Sequence, residues 1–113
     1  MLIPHQLFSH HILQDDQYID VKQLVITLNA LRLLVYDASY NISETTCKEY
    51  PLKSDVMSYY TSNGVCRMPI VVTSDDYCLD GRHRVSYRKQ TADIFCPAYI
   101  APSDYVIKFI KQY

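Results

Sequence analysis

The chain has 113 residues, of which 49% are apolar and 20% charged, and its 11 basic and 12 acidic groups leave a formal charge of -1. That is one small domain's worth, able to bury about 60% or more of its unfolded surface without a metal or disulfide staple. Near-neutrality excludes whole-surface attraction to nucleic acid or anionic membrane and leaves room only for a local patch.

In chain order, Leu2-Ile3-Pro4 and Leu7-Phe8 suggest a short strand, with Pro4 favouring an edge or a bend. No stretch of 18 apolar residues occurs, so no bilayer-spanning helix is expected. Met1 to Gln6 lacks a basic leader, which argues against a signal peptide. From Asp20 to Val35 the pattern is helical. Val21, Leu24, Val25, Leu28, Leu31 and Leu34 recur at spacings of three and four, Asp20 can cap, and Leu33 and Val35 widen the apolar face. Tyr36 to Pro51 is polar and reads as a loop with at most a short element. A second helix opens at Ser54-Asp55, with Val56, Tyr59 and Tyr60 expected to face inward, and Gly64 at its C′ position.

The second half is more legible. Pro69 to Thr73 is a β-branched run suited to burial on both faces. Ser74-Asp75-Asp76 makes a turn and Tyr77-Cys78-Leu79 returns, giving a hairpin. Asp80-Gly81-Arg82-His83-Arg84 then leads into a helix to about Gln90. Ile94 to Cys96 and Ala98 to Ile100 form a strand bent at Pro97. Ser103-Asp104 opens a last helix, with Lys108 and Lys111 in its final turns. The order β-α-loop-α-β-β-α-β-α predicts a small single α+β domain, a mixed sheet packed with helices.

Cys47, Cys66, Cys78 and Cys96 contain no C-x-x-C pair, so a structural zinc site is not expected. Buried thiols in a reducing cytoplasm account for them better than two disulfides.

The residues that carry chemistry follow the hairpin. A strand ends, a glycine follows, and a helix starts with three basic side chains in its first turn. Such side chains oppose the helix dipole, at about 0.3–1 kcal/mol each. A bound anion reverses that sign, and phosphate matches the donors that Arg and His offer. Gly81 would let the backbone approach the anion closely. Residues 1–66 carry 4 basic and 7 acidic groups, whereas residues 67–113 carry 7 and 5, so the second half is locally positive. Arg67, Arg82, Arg84, Arg88 and Lys89 supply most of that charge, and Arg84 and Arg88, four apart, would line one helix face. A solvated helix capped by Asp80, with an exposed basic face, accounts for the same residues.

Pro69-Ile70-Val71-Val72, a hairpin, then Leu79-Asp80-Gly81-Arg82-His83-Arg84 resembles the ParB/sulfiredoxin superfamily, most clearly over residues 55–100. The resemblance implies a nucleotide (ATP, ADP or CTP), with magnesium, held by its phosphates on Gly81, His83 and Arg84, to which the local positive charge adds Arg82 and Arg88. It implies Asp80 and His83 as candidate catalytic groups, with Asp80 as a helix cap or magnesium contact. Sulfiredoxins have cysteine where this chain has Arg82, and Cys78 lies four residues earlier, so that activity is not expected. The chain shows neither the helix-turn-helix nor the dimerisation domain of the chromosome-partitioning members, so a DNA-sliding clamp is not expected either.

Phosphoryl transfer would need a carboxylate to orient the nucleophile or hold magnesium. Glu44, Glu49, Asp37 and Asp15-Asp16 are candidates, with no motif to rank them. His5, His10 and His11 form no i,i+4 metal pair. Three functions compete. The first is a small cytoplasmic NTPase or phosphotransferase. The second is an interaction protein that regulates a partner, as suits a phage, plasmid or effector system, with the 11 tyrosines as contact residues. The third is a small nuclease or single-strand nucleic-acid binder using the Arg82–Lys89 patch with Tyr77 and Tyr87.

Overall fold

The Asp20 carboxylate begins the first helix by accepting from Gln23 N–H at 3.0 Å. The computed structural model describes residues 11–14, 17–46, 54–64 and 68–112. Helix α1 spans Val21–Ala30 and buries Val21, Leu24, Val25 and Leu28. It stops five residues short of the predicted Val35. Arg32 turns left-handed at φ 58°, Arg32 N–H donates to Asn29 O, and Leu33 N–H reaches back to Leu28 O at 2.9 Å. This Schellman closure carries arginine where glycine is usual, so nothing in the sequence marked it. Leu34 is still buried, but from an extended segment.

The predicted loop after Tyr36 is a strand. Before α1 lie β1 (His11–Gln14) and β2 (Gln17–Ile19), and after it comes β3, Val35–Asn41. Most of β3 is exposed on both faces, so it lacks the apolar alternation that reveals strands. Helix α2, Ser54–Asn63, has its predicted bounds, and Gly64 closes it at φ 82° with its N–H on Tyr60 O. None of its residues is buried, however, and Tyr59 is 62% exposed, against the inward face expected.

Strands β4 (Ile70–Thr73) and β5 (Cys78–Asp80) form the predicted antiparallel hairpin, and α3 (Arg82–Gln90) follows. Strand β6, Phe95–Ala101, continues unbroken through Pro97. Pro97 has no N–H to give. Its pairing with β4 begins one residue later at Ala98, and β3 bulges past it, the register jumping from Asp37↔Ala98 to Tyr40↔Cys96. Ser39 N–H, in that bulge, donates instead to Asp37 Oδ1. The last helix is a single turn, α4 (Ser103–Val106), with a 3-10 turn at Ile107–Phe109. Ile110–Gln112 then forms β7 rather than continuing the helix, because it pairs with β2, Ile19 opposite Ile110. Lys111 therefore lies in a strand. The strand predicted near Leu2–Phe8 falls outside the described residues.

The result is the predicted α+β class. A mixed sheet in the order β3-β6-β4-β5, parallel only between β6 and β4, sits beside an antiparallel β1-β2-β7 sheet. Val71, Leu79, Tyr99 and Ala101 pack with α1, Ile19 and Val106 on one face of the mixed sheet. Ile70, Val72, Cys78, Cys96 and Ala98 pack with Val85 of α3 on the other. Cys78 and Cys96 are buried in that second core, and burial pushes the Cys96 thiol up. No helix of the described residues is long and apolar enough to cross a membrane.

Candidate functional site

The Asp80–Arg84 segment joins an edge strand to α3, and its side chains divide into two groups. Gly81 is the N-cap residue, left-handed at φ 97°. A Cβ there would lie 2.5 Å from Ile70 Cγ2, inside the core. The packing of β4 by itself thus demands glycine here.

Asp80 is 3% exposed, and its Oδ2 lies 3.5 Å from Arg84 Nη2. Gly81, not Asp80, is the N-cap residue of α3, and Asp80 stands one position before it. Arg84 Nη1 donates to the carbonyl of Met68 and, at 3.4 Å, to that of Pro69. Arg84 therefore staples the chain entering β4 to the start of α3.

Arg88 does not present its guanidinium to a surface phosphate as its spacing from Arg84 suggests. It is 1% exposed and faces away from any surface ligand, donating through Nη1 to Asp93 Oδ2 at 2.6 Å and to Phe95 O at 3.2 Å. Arg84 and Arg88 do share a face of α3, as their spacing implied, but that face is turned into the protein. Lys89 reaches the carbonyl of Thr45. The Arg82–Lys89 patch is consequently no continuous basic stripe. Tyr77 packs against the α1-side core, while Tyr87 meets Tyr60 on the α3 side, so the two rings proposed for nucleic-acid stacking lie on opposite faces.

Arg82 and His83 stay partly exposed in the first turn of α3. The first main-chain bond across that turn runs from Val85 N–H to Gly81 O. Gly81 offers no side-chain cap, and the turn holds no acidic residue. An α-helix directs its first N–H groups out along its axis and carries partial positive charge there. Here the Arg82 guanidinium adds to that charge, with the His83 imidazole beside it.

The residues opposite come from α2. Its Tyr60 ring meets Tyr87 edge-on, with centroids 5.1 Å apart, and Tyr59 lies edge-on to Tyr60 at 6.1 Å. One turn earlier on each helix, Asp55 and Val56 face His83 across a groove of about 440 Å³ that Tyr59 and Tyr60 complete. Because Val56 and Tyr60 match His83 and Tyr87 in the same direction, the two helices open the groove at their N-terminal ends. Asp55 Oδ1 accepts from Val56 N–H at 3.0 Å. In the sequence, Asp55 reads only as a helix opener. Its i,i+4 spacing from Tyr59 is a signal of a shared face, but not of what that face meets.

The other acids lie elsewhere. Asp37 is on β3, at the sheet edge opposite β5, and Glu44 is in the exposed turn beside Thr45, whose carbonyl meets Lys89 late in α3. Asp15, Asp16, Glu49, Arg67, Cys47 and Cys66 fall outside the described residues, as do His5 and His10. Magnesium does not fit the residues that would hold it: Asp80 is buried against Arg84, and no three metal-binding side chains converge among the described residues.

No family model matches the chain, and no curated protein and no solved structure matches it.

Proposed function

We propose that the chain is a nucleotide-binding domain that takes the phosphates of its ligand at the start of α3, on Arg82, His83 and the first-turn N–H groups. The observation that carries this reading is a helix N-terminus with glycine at the N-cap and Arg82 and His83, but no acidic residue, in its first turn, opening on a groove walled by tyrosines. An anion there stabilises an otherwise unfavourable helix end. The resemblance of Leu79–Arg84 and its hairpin to the ParB/sulfiredoxin superfamily supports the same ligand class. Arg84, Asp80 and Gly81 contribute by building the turn rather than by touching phosphate. Of the described carboxylates, Asp37 and Glu44 lie away from Arg82 and His83 and Asp80 is buried, whereas Asp55 faces His83 across the groove.

Calorimetry with ATP, CTP and inorganic tripolyphosphate tests the proposal. Dissociation constants from micromolar to millimolar are expected, weakened about tenfold by Arg82→Ala and by His83→Ala, the loss of one charge-assisted bond. Absence of heat with all three ligands overturns it.

A second reading, a scaffold that binds a protein partner, draws on Val35, Tyr36 and Phe95, which are exposed near the β3 edge of the sheet. It predicts a stoichiometric complex that Tyr36→Asp abolishes and Arg82→Ala leaves intact.

A further inference from the structure

We infer that β3 pairs with β3 of a second copy of this chain, antiparallel and about Tyr36, joining two mixed sheets edge to edge. The inference names the partner for the surface of the second reading, on which it rests, and does not depend on nucleotide binding.

The two edges of the mixed sheet differ. Beside β5, Thr46 bridges to Tyr77: Thr46 N–H donates to Asp76 O at 2.9 Å, and Cys78 N–H donates to Thr46 O at 2.7 Å. The chain thus covers that edge itself. Strand β3 is the other edge, seven residues long, and among the described residues no strand lies on its outer side. An edge strand holds main-chain groups free to pair with another chain, and proteins guard it with lysine, proline or a bulge. The residues VYDASYN include no lysine and no proline. The bulge comes after Asp37, whose Oδ1 accepts from Ser39 N–H, and Asn41 Oδ1 accepts from the N–H and hydroxyl of Ser43. These features guard the second half of β3. The regular half, Val35 to Asp37, carries none of them, and its one charge is turned to Ser39 of its own chain.

A second copy matches that half in surface and in charge. Tyr36 stands on the α1 side of the sheet, its ring 5.4 Å from that of buried Tyr99, while Val35 pairs with Ile100 and faces the α3 side. Val35, Tyr36 and Phe95 are 57%, 47% and 54% exposed. Half of an aromatic side chain is about 100 Å². These three therefore offer about 300 Å² per copy before the strand edge is counted. That is enough for a weak, reversible dimer of less than about 1,200 Å² over both copies, and too little for an obligate one.

Charge selects the direction. The segment begins at exposed Arg32 and carries Asp37 further on. A copy related by a two-fold axis runs the opposite way and brings each Arg32 end toward the partner's Asp37 end. A copy running the same way would set like charges side by side. Side chains directly opposite share a face, so the axis passes through a residue of β3. At Asp37 it would set two carboxylates together. At Val35 it would set Tyr36 against Leu34, which is already buried in its own chain. At Tyr36 it sets ring against ring and no charge against its like. Each mixed sheet has one open edge, so the pairing closes at two copies.

Sedimentation equilibrium of the full chain, with reductant present and from about 1 to 500 μM, tests the inference. The expected result is a monomer–dimer equilibrium with a micromolar dissociation constant. Tyr36→Lys and Tyr36→Asp each set like charges opposite at the axis and should each weaken it at least about tenfold. An equimolar mixture of the two should restore it to within a few-fold of wild type, a rescue that only residue 36 facing its own copy provides. Tyr59→Lys, at another exposed tyrosine, should dimerise as the wild type does, and circular dichroism checks the fold of every variant. A wild-type chain that stays monomeric throughout overturns self-pairing and leaves this edge to a different protein, which is the second reading as it stands. A dimer that both Tyr36 variants leave intact, a mixture that does not re-associate, or an assembly larger than two also overturns the inference. If every complex of the chain, with itself or with another protein, ignores Tyr36→Asp, the second reading falls as well.

Discussion

Replacing Gly81 by alanine separates two explanations of that glycine. If Gly81 exists to admit an anion, the substitution should weaken ligand binding and leave stability nearly unchanged. The structure requires the opposite. A Cβ at position 81 would sit 2.5 Å from Ile70 Cγ2 and 3.1 Å from Arg84 Nη2, with φ at +97°. The left-handed backbone costs about 1–2 kcal/mol for a residue with a Cβ. Overpacking against a fully buried isoleucine adds about 1–3 kcal/mol. Gly81→Ala should thus lose about 2–5 kcal/mol, a large part of the roughly 5–15 kcal/mol that holds a domain of this kind together. Urea unfolding of Gly81→Ala, Ile70→Ala and the double variant measures it. Ile70→Ala alone should cost about 2–5 kcal/mol for its cavity. In the double variant the new methyl occupies part of that cavity, so the two losses should fall short of additivity by about 1–3 kcal/mol. Additive losses, or a Gly81→Ala cost of less than about 1 kcal/mol, would refute the packing explanation.

The helix stops offer a second test: Arg32 and Ala92 are exposed and left-handed at φ 58° and 60°, so Arg32→Gly and Ala92→Gly should each stabilise by about 0.5–1 kcal/mol, read as a rise in Tm. The Arg88–Asp93 pair should respond unequally. Asp93→Ala strands a buried guanidinium and should cost about 3 kcal/mol in urea, more than Arg88→Met, which removes the buried charge and keeps much of its volume. At high pH, Tyr40 becomes a weak point. Burial, and then its hydrogen bond to Asp76, push the phenol up to about 12, so its contribution is complete below pH 10 and lost as pH rises toward 12. Tyr40→Phe should flatten that alkaline loss in thermal melts recorded from pH 9 to 12. At low pH, the hydroxyls of Thr73 and Ser103 hold the Asp75 carboxyl below its ordinary value. The stability this gives is present above the unfolded value and lost as pH falls through the carboxylate range, a slope that Asp75→Asn should remove.

Helix ends and edge strands were the hardest features to read from the residues. Glycine marks α2's end at Gly64, and the prediction there agrees with the structure. At Arg32 the same left-handed closure is made by an arginine, and the predicted helix overran into β3. Strand β3 itself is an exposed edge, whose residues VYDASYN record little burial and so little period. Ile110–Gln112 has a helical flank but a strand partner, and β2 decides the outcome. Within the candidate site, the turn and the helix start at Gly81 were legible, because a strand end, a glycine and a helical run follow one another. The directions of Arg84 and Arg88 were not. Long arginine side chains can reach solvent or fold back to main-chain carbonyls, and spacing alone distinguishes neither.

By itself, the sequence determined the α+β class, the β4–β5 hairpin and the junction that opens α3, since each rests on local turn chemistry and on a short buried β-branched run. It also showed that a near-neutral chain carries its basic residues mainly in its second half. Tertiary structure decided what those charges do. Packing against β4 and β6 turned Arg84 and Arg88 inward and left Arg82 and His83 at the surface. The meeting of α2 with α3 brought Asp55 and Tyr59 to that same end, from more than twenty residues away in the chain. Such a groove is made by two surfaces at once, and the residues of either one specify only its own half.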